Sequence, residues 1–355
     1  MEGLGLTSFW NGKRVLITGH TGFKGSWLAH WLKALGSEVF GVALEPDTTP
    51  DLFSQLGLSR GINHTIGDVR DPVALRARID EVQPDVIFHL AAQALVRRSY
   101  QEPLLTWDVN VMGVANLLDA TRALSKICAC IIVTTDKVYQ NLEWHYPYRE
   151  TDALGGHDPY SASKAAAELV TASFRSAFFG NASPVRIATA RAGNVIGGGD
   201  WSKDRLIPDL IRALAAGNTL EVRNPNAVRP WQHVLEPLSG YLRLAERLHR
   251  SEDNSLRSAY NFGPQPEDAR NVREVIELVL KRWDGRWRDA SDDASPHEAR
   301  LLSLTIDKAK AELDWTPRWT LDESITMTVD WYREVMAGGD AGELTSRQIT
   351  VFGDP

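Results

Sequence analysis

The chain is predicted to fold as an α/β protein, a doubly wound parallel sheet with a smaller, partly discontinuous C-terminal domain. Three observations carry that expectation. Short apolar runs alternate with amphipathic stretches from residue 13 to residue 190, the order of repeated βα units. The first run, 13–18, passes straight into Gly19-His20-Thr21-Gly22-Phe23-Lys24-Gly25 and a helical pattern that stops at Gly36. Beyond Arg191 the alternation gives way to glycine-rich loops bearing arginines and tryptophans. A length of 355 residues is enough for one large core or two smaller ones.

Bulk composition narrows the class. The hydrophobic fraction of 43% and charged fraction of 24% are ordinary for a globular protein. A net charge of -7 argues against a general polyanion-binding surface, so no nucleic-acid partner is expected. No apolar run reaches the roughly 18 residues that span a bilayer, so no membrane partner is expected. The N-terminus lacks the charged-then-apolar layout of a signal peptide, and a reducing, cytoplasmic setting is expected. Cys128 and Cys130 share one apolar run, where alternation places both on the same face. They read as small core residues, with no disulfide and no metal site.

In the first glycine turn, the glycines permit tight turning and close backbone approach, and the following helix offers its N-terminal amides to a pyrophosphate. Gly19, Thr21, Gly22, Phe23, Lys24 and Gly25 are therefore candidate dinucleotide contacts of a Rossmann-type unit. Their spacing is Gly-x-x-Gly-x-x-Gly, not the commonest Gly-x-Gly-x-x-Gly. The second strand, 38–44, ends on Ala43-Leu44 where an acid would favour NAD, with Glu45 just beyond. No arginine is placed there for a 2′-phosphate, so this segment alone leaves NAD and NADP open. The third strand ends at Asp68, beside Val69. Asp68 either accepts from the adenine amino group or caps the next helix, for which Asp71-Pro72 is another start signal. The fourth strand exits through Leu90-Ala91-Ala92-Gln93, whose small alanines would let a cofactor come close. His89, inside the apolar run, reads as a bonded core histidine. A helical pattern over 104–124 carries Asn110, which either bonds backbone near the site or sits as a satisfied core amide.

The apolar run 127–132 reads as a buried strand whose carboxyl end is the ligand edge of the sheet. There Thr134-Thr135-Asp136-Lys137 sets hydroxyls, a carboxylate and an ammonium, groups costly to bury without a reason. Downstream, Tyr160 and Lys164 are one helical turn apart on one face. An ammonium beside a phenol lowers its pKa and makes it a usable base. Thr135, Tyr160 and Lys164 together suggest hydride chemistry at a carbon–oxygen bond. The aromatic loop 143–148 is expected to flank that site. After a strand at 185–190, the segment from Gly193 to His233 carries Asn194, Trp201, Arg205, Arg223, Asn224, Arg229, Trp231 and His233. Arginines fork onto a diphosphate and aromatics stack on a base or sugar, although any one of these arginines could equally balance surface charge. Helices are expected near 272–283 and 321–336, with an irregular loop over 284–300 ending near Pro296-His297-Glu298. No repeat is present.

Taken together, Thr18-Gly19-x-x-Gly22-Phe23-x-Gly25, Asp68, Thr135 and Tyr160-x-x-x-Lys164 resemble the extended short-chain dehydrogenase/reductase superfamily. Thr135-Asp136 followed by Val138-Tyr139 resembles its sugar-nucleotide 4,6-dehydratase group. Lys137 stands where thymidine-linked members have glutamate. With Gly22-Phe23-Lys24-Gly25-Ser26-Trp27, the run from Arg191 to Trp201 and the run from Arg229 to Leu238, it is similar to the CDP-glucose branch of that group. The resemblance runs from about residue 9 to residue 332; the last twenty or so residues lie outside it and read as a polar tail.

That resemblance implies a lyase acting on CDP-glucose with NAD, yielding a 4-keto-6-deoxy sugar for deoxysugar and surface-polysaccharide (O-antigen, lipopolysaccharide) synthesis. It implies that Tyr160, assisted by Lys164 and the oxidised nicotinamide, takes the C4 hydroxyl proton while Thr135 holds the same oxygen. Asp136 would protonate the leaving C6 hydroxyl, and Lys137 would be the C5 base or, as an ammonium, an enolate stabiliser. Asn194, Arg205 and Arg229 would bind the diphosphate, with Asn224, Trp201 and His297 as further substrate contacts. Residues 1–191, with a return segment near 228–262, would form the dinucleotide-binding domain; 192–227 and 263–355 would bind the nucleotide sugar. A homodimer or dimer of dimers would form through helices near 104–124 and 160–179. Two competing expectations are an epimerase or reductase, needing only Thr135, Tyr160 and Lys164, and a catalytically silent dinucleotide-binding sensor.

Overall fold

The computed structural model describes residues 7–291 and 301–355. Seven strands form one parallel sheet: β1 (Arg14–Thr18), β2 (Glu38–Ala43), β3 (Asn63–Ile66), β4 (Val86–His89), β5 (Cys128–Val133), β6 (Val185–Ala192) and β7 (Ala259–Phe262). Their spatial order is β7-β6-β5-β4-β1-β2-β3. The order therefore reverses between β1 and β4, where diverging loops leave a crevice at the carboxyl ends of the strands. β4, β5 and β6 are buried at every residue, as a parallel sheet covered on both faces requires. β7 arrives late in the chain and pairs with β6, Ala259 opposite Thr189.

The helices that position the site are α1 (Phe23–Ala34), α2 (Pro72–Val82), α3 (Gly113–Thr121), α4 (Pro159–Phe178), α5 (Leu206–Ala215), α6 (Leu235–Arg250), α7 (Val272–Leu280), α8 (Leu321–Met336) and α9 (Ala341–Phe352). Side chains of a strand alternate between faces, and the core divides accordingly. Val15 and Ile17 of β1 join Trp27, Leu28 and Leu238 on the side of α1 and α6. Leu16 joins Ile79, Leu117, Leu118 and Ala167 on the side of α2, α3 and α4. Cys128 and Cys130 both fall in this second core and are free thiols. α4 begins where Asp158 accepts from the Ser161 amide and Pro159 occupies the first turn, where its missing N–H costs nothing.

Three segments differ from expectation. The pattern over 104–124 is not one helix: Pro103–Trp107 leads into a π-helical turn, Asp108–Met112, before α3. That wide turn turns the buried Asn110 amide onto the loop after β4, a local distortion of the kind found at functional sites. Within 284–300, Arg286–Asp289 is a strand paired parallel to Thr219–Val222, and the part around Pro296-His297-Glu298 lies outside the described residues. The polar tail is instead helix α9. Ala341, Leu344, Thr345, Gln348, Ile349 and Phe352 make one buried stripe at helical spacing, capped by Asp340. The Phe352 ring meets Trp319 at 5.0 Å and Trp31 at 5.8 Å between centroids.

Candidate active site

A cavity of about 810 Å³ opens at the carboxyl edge of the sheet, between the strand ends and the segments after β6. Its dinucleotide end is built from the glycine turn. A Cβ added at Gly19, which sits at φ +79°, would lie 2.6 Å from the Ala91 nitrogen. One added at Gly25 would lie 2.1 Å from the Gly19 carbonyl oxygen, so both positions tolerate no side chain. Gly22 precedes α1 without a side-chain cap, leaving the first-turn amides of a 12-residue helix for a ligand. Thr21 Oγ1 donates to the Leu44 carbonyl and ties this turn to the end of β2. A glycine cradle, uncapped amides and the small side chains of Ala91 and Ala92 fit a dinucleotide pyrophosphate.

Phe23, Lys24, Asp68, Val69, Leu90 and Gln93 line the same end. Asp68 does not cap α2; Asp71 does, accepting from the Val73 and Ala74 amides. The Asp68 carboxylate is instead held by Arg70 at 2.6 Å, which keeps it below the usual carboxylate range. Asn110 is a correction. It lies behind the cavity wall, its Oδ1 accepting from the Gln93 amide and its Nδ2 donating to the Gln93 carbonyl and to Ser163 Oγ. It bonds the backbone of a residue that lines the cavity, the first of the two expectations, but is not itself on the cavity wall. His89 is the core histidine expected, bonded through Nδ1 to Thr18 Oγ1 at 2.7 Å.

At the middle of the cavity the end of β5 meets the start of α4. Thr134, Thr135, Asp136, Lys137, Tyr160 and Lys164 all line it. Thr135 Oγ1 donates to Asp136 Oδ1 at 2.9 Å. Asp136 is 2% exposed, and its Oδ2 has no hydrogen-bond partner among the described residues. Burial raises its pKa, opposed by the charges of Lys137, Arg229 and Lys24 and by the Thr135 bond. Gly193 makes room for that carboxylate, since a Cβ there would stand 2.4 Å from Pro230 Cγ and 3.1 Å from Asp136 Oδ2. Lys164 Nζ donates to the Val133 carbonyl at 3.2 Å, and burial lowers its pKa to about 8. Tyr160 departs from expectation. Burial pushes its phenol up to about 12, and the groups that work against this are Thr135, by a hydrogen bond, and Arg205, by charge. Lys164, one helical turn along α4, gives only one of its three N–H groups to the strand carbonyl, so its charge stays available toward Tyr160 together with that of Arg205.

The far end holds Asn194, Trp201, Arg205, Arg223, Asn224, Arg229 and Trp231. Arg205 is paired with Asp200 at 3.1 Å, and Trp201 Nε1 donates to Gln55 Oε1. Arg97, unread in the sequence, also lines the cavity and shares Asp204 Oδ1 with Arg223, at 3.4 Å and 3.6 Å. His233 is a correction: it is fully buried between Trp27 and Trp319 and lies away from the cavity. His297 lies outside the described residues. Of the loop 143–148, Glu143 reaches the cavity wall, whereas its aromatic rings do not line it and Tyr148 stacks on Tyr139. Two residues that the sequence reading passed over, Glu168 and Arg191, form a buried ion pair behind the catalytic strand. Among the described residues no cluster of histidine, cysteine or carboxylate side chains could hold a metal ion.

The sequence model of the GDP-mannose 4,6 dehydratase family matches residues 16–328. The chain belongs to this family of sugar-nucleotide 4,6-dehydratases. Its full length is similar to the CDP-glucose 4,6-dehydratase of Salmonella typhimurium, 46% identical over 97% of both chains. Among solved structures, the fold matches a dTDP-glucose 4,6-dehydratase from Streptomyces venezuelae solved with NAD bound, at TM-score 0.78 and 24% identity, over 92% of this chain and 98% of that one. It also matches an epimerase from Methanothermobacter thermautotrophicus at TM-score 0.79 and 22% identity, over 96% of both chains. The epimerase match reflects the scaffold, which is common to both activities. In this dehydratase Thr135, Tyr160 and Lys164 line the same cavity as Asp136 and Lys137.

Proposed function

We propose that this dehydratase converts CDP-D-glucose to CDP-4-keto-6-deoxy-D-glucose and water with NAD as its resident cofactor. The observation that carries the reading is Asp136, a buried carboxyl with an open oxygen, raised pKa and a glycine cleared in front of it. The 46% identity to a CDP-glucose enzyme supports the choice of nucleotide. NAD is favoured over NADP by the wall after β2. Glu45 and Asp47 line it, and the nearby Arg70 is already engaged by Asp68 and Asp108, so a 2′-phosphate would meet acids without a free cation.

Bound NAD supplies the hydride acceptor for oxidation at C4 and the donor for reduction at C6. The residues supply proton management and positioning. Tyr160 takes the C4 hydroxyl proton, its phenolate favoured by the Thr135 hydroxyl, the Arg205 guanidinium and the Lys164 ammonium one helical turn away. Oxidation at C4 makes the C5 proton acidic, and Lys137, half-buried beside Asp136, removes it and returns it to C5 once C6 has been reduced. Asp136 gives its proton to the C6 hydroxyl, which leaves as water. Asn194, Arg205 and Arg229 fork onto the diphosphate, while Trp201 and Trp231 offer faces to base and sugar.

We further propose a dimer through the helices over α3 and α4. Leu104 (83% exposed), Met112, Leu169 (61% exposed) and Phe178 present large apolar groups there. Light scattering on a Leu169→Glu variant is expected to return half the wild-type mass; a wild type that is already monomeric would overturn the dimer.

The function itself is tested with CDP-glucose deuterated at C4. The expected product has lost one water and carries the label at C6. Retained mass with an inverted centre would instead assign an epimerase.

A further inference from the structure

Behind the catalytic turn lies a buried ion pair that none of these steps uses. Glu168 on α4 and Arg191 on β6 are 4% exposed and 2.8 Å apart. Glu168 also accepts from Thr134 Oγ1 at 2.5 Å and from Thr189 Oγ1 at 2.8 Å. Arg191 donates to the Tyr139 hydroxyl at 2.8 Å and to the Glu150 carbonyl at 3.1 Å. Thr134 immediately precedes Thr135, and Tyr139 immediately follows the short helical turn Asp136–Val138. One ion pair therefore grips the catalytic turn at both ends. Glu168 is also one helical turn past Lys164, on the same face of α4.

We propose that Glu168, backed by Arg191, is a positioning residue for dehydration, holding Lys164 and the Thr135-Asp136-Lys137 turn in fixed relation. The inference rests on the dehydratase reading above. A buried ion pair adds little stability over an apolar replacement of the same shape, so its value lies in what it orients. Its charge also matters, because the Glu168 carboxylate favours the ammonium form of Lys164 against burial. Arg175 on α4, Glu150 and Lys308 face the pair from their own elements. His89 at the end of β4 and Lys24 at the start of α1 face Lys164. Removing the Glu168 charge makes the surroundings of Lys164 more cationic, and its proton is lost at lower pH.

Glu168→Gln keeps the length of the side chain and a partner for each threonine while removing the charge. The experiment measures kcat and KM for CDP-glucose against pH, with saturating NAD, for wild type, E168Q and the double variant E168Q/R191Q. In E168Q the basic limb of kcat is expected to move down by about one pH unit, costing about tenfold in rate above it. KM changes by less than about twofold, and the double variant, which no longer strands a cation, shows a smaller shift. A wild type that leaves CDP-glucose unchanged overturns the dehydratase reading. A wild type that turns it over, with E168Q keeping the wild-type profile, overturns this inference alone. So does an equal fall in kcat at every pH with a lowered melting temperature, which would assign the pair to stability. If E168Q does not fold, an unmoved basic limb in the double variant overturns the inference.

Discussion

Asp136 separates dehydration from the oxidation and reduction that the rest of the scaffold performs. Its Oδ1 is fixed by Thr135, its Oδ2 is open, and desolvation raises its pKa, the direction a general acid needs. Asp136→Asn preserves shape and the Thr135 bond but has no proton to donate to the C6 hydroxyl. Turnover is expected to fall by roughly 10²–10⁴-fold, the usual worth of a general acid, with NAD affinity unchanged. Steady-state rates with calorimetric NAD binding check this; undiminished turnover would remove Asp136 from the chemistry. At this scale the sequence was informative where function depends on position along one element. Thr135 and Asp136 follow a strand end, and Tyr160 and Lys164 share a helix face, so the placement within each pair needs only local geometry. His233 could not be assigned that way, because the rings that enclose it, Trp27 and Trp319, come from distant segments. Nor could the pairing of Glu168 with Arg191, although the four-residue spacing from Lys164 to Glu168 was visible.

Among the elements, α9 shows how a helix outside the recognisable pattern still supports the site. It packs on α8 and α1, and Trp331 Nε1 donates across to Thr345 Oγ1. α8 in turn braces the glycine loop before Trp201: Tyr332 donates to the Asp200 carbonyl at 2.5 Å, and a Cβ at Gly198 would collide with the Trp331 ring at 2.1 Å. The chain of contact therefore runs from the C-terminal helix to Asp200 and Arg205 in the cavity. Phe352, 4% exposed, is the anchor of α9. Phe352→Ala leaves a void against Trp31 and Trp319 and is expected to cost about 3–5 kcal/mol of unfolding free energy, read from the urea midpoint. A loss below about 1 kcal/mol would mean that α9 is not part of the cooperative core. Its apolar stripe was present in the sequence, yet a stripe alone does not say what covers it, and the family resemblance had ended before it. The sheet strands were legible because near-continuous apolar runs bounded by glycine and polar turns admit few other structures.

Over the whole molecule, buried histidines set the response to acid. His20, His89 and His233 are at most 1% exposed, and burial holds their pKa values at about 4, about 3 and about 3. Unfolded, each titrates near 6.5. Their folded pKa values are depressed, so the unfolded chain binds the extra protons, and their contribution is present above about pH 6.5 and lost as pH falls toward 4. Glu236 acts in the opposite sense. Burial raises its carboxyl to about 7, although the Arg318 and Trp319 amides donate to it, so its contribution is present below about pH 4.5 and lost as pH rises through 7. The partly buried His249, also held at about 4 by burial, adds a fourth proton, so between pH 5 and 6 four protons taken up on unfolding are set against one released, a net of about three. The contribution of these groups to stability is then expected to fall by about 4.1 kcal/mol for each pH unit of acidification in that window. Denaturant unfolding from pH 7 to 5 measures the slope directly. His89→Gln, which cannot titrate, is expected to reduce it by about one proton, or about 1.4 kcal/mol per pH unit. An unchanged slope in that variant would show that His89 is protonated in the folded protein, and that its bond to Thr18 survives by reversing donor and acceptor.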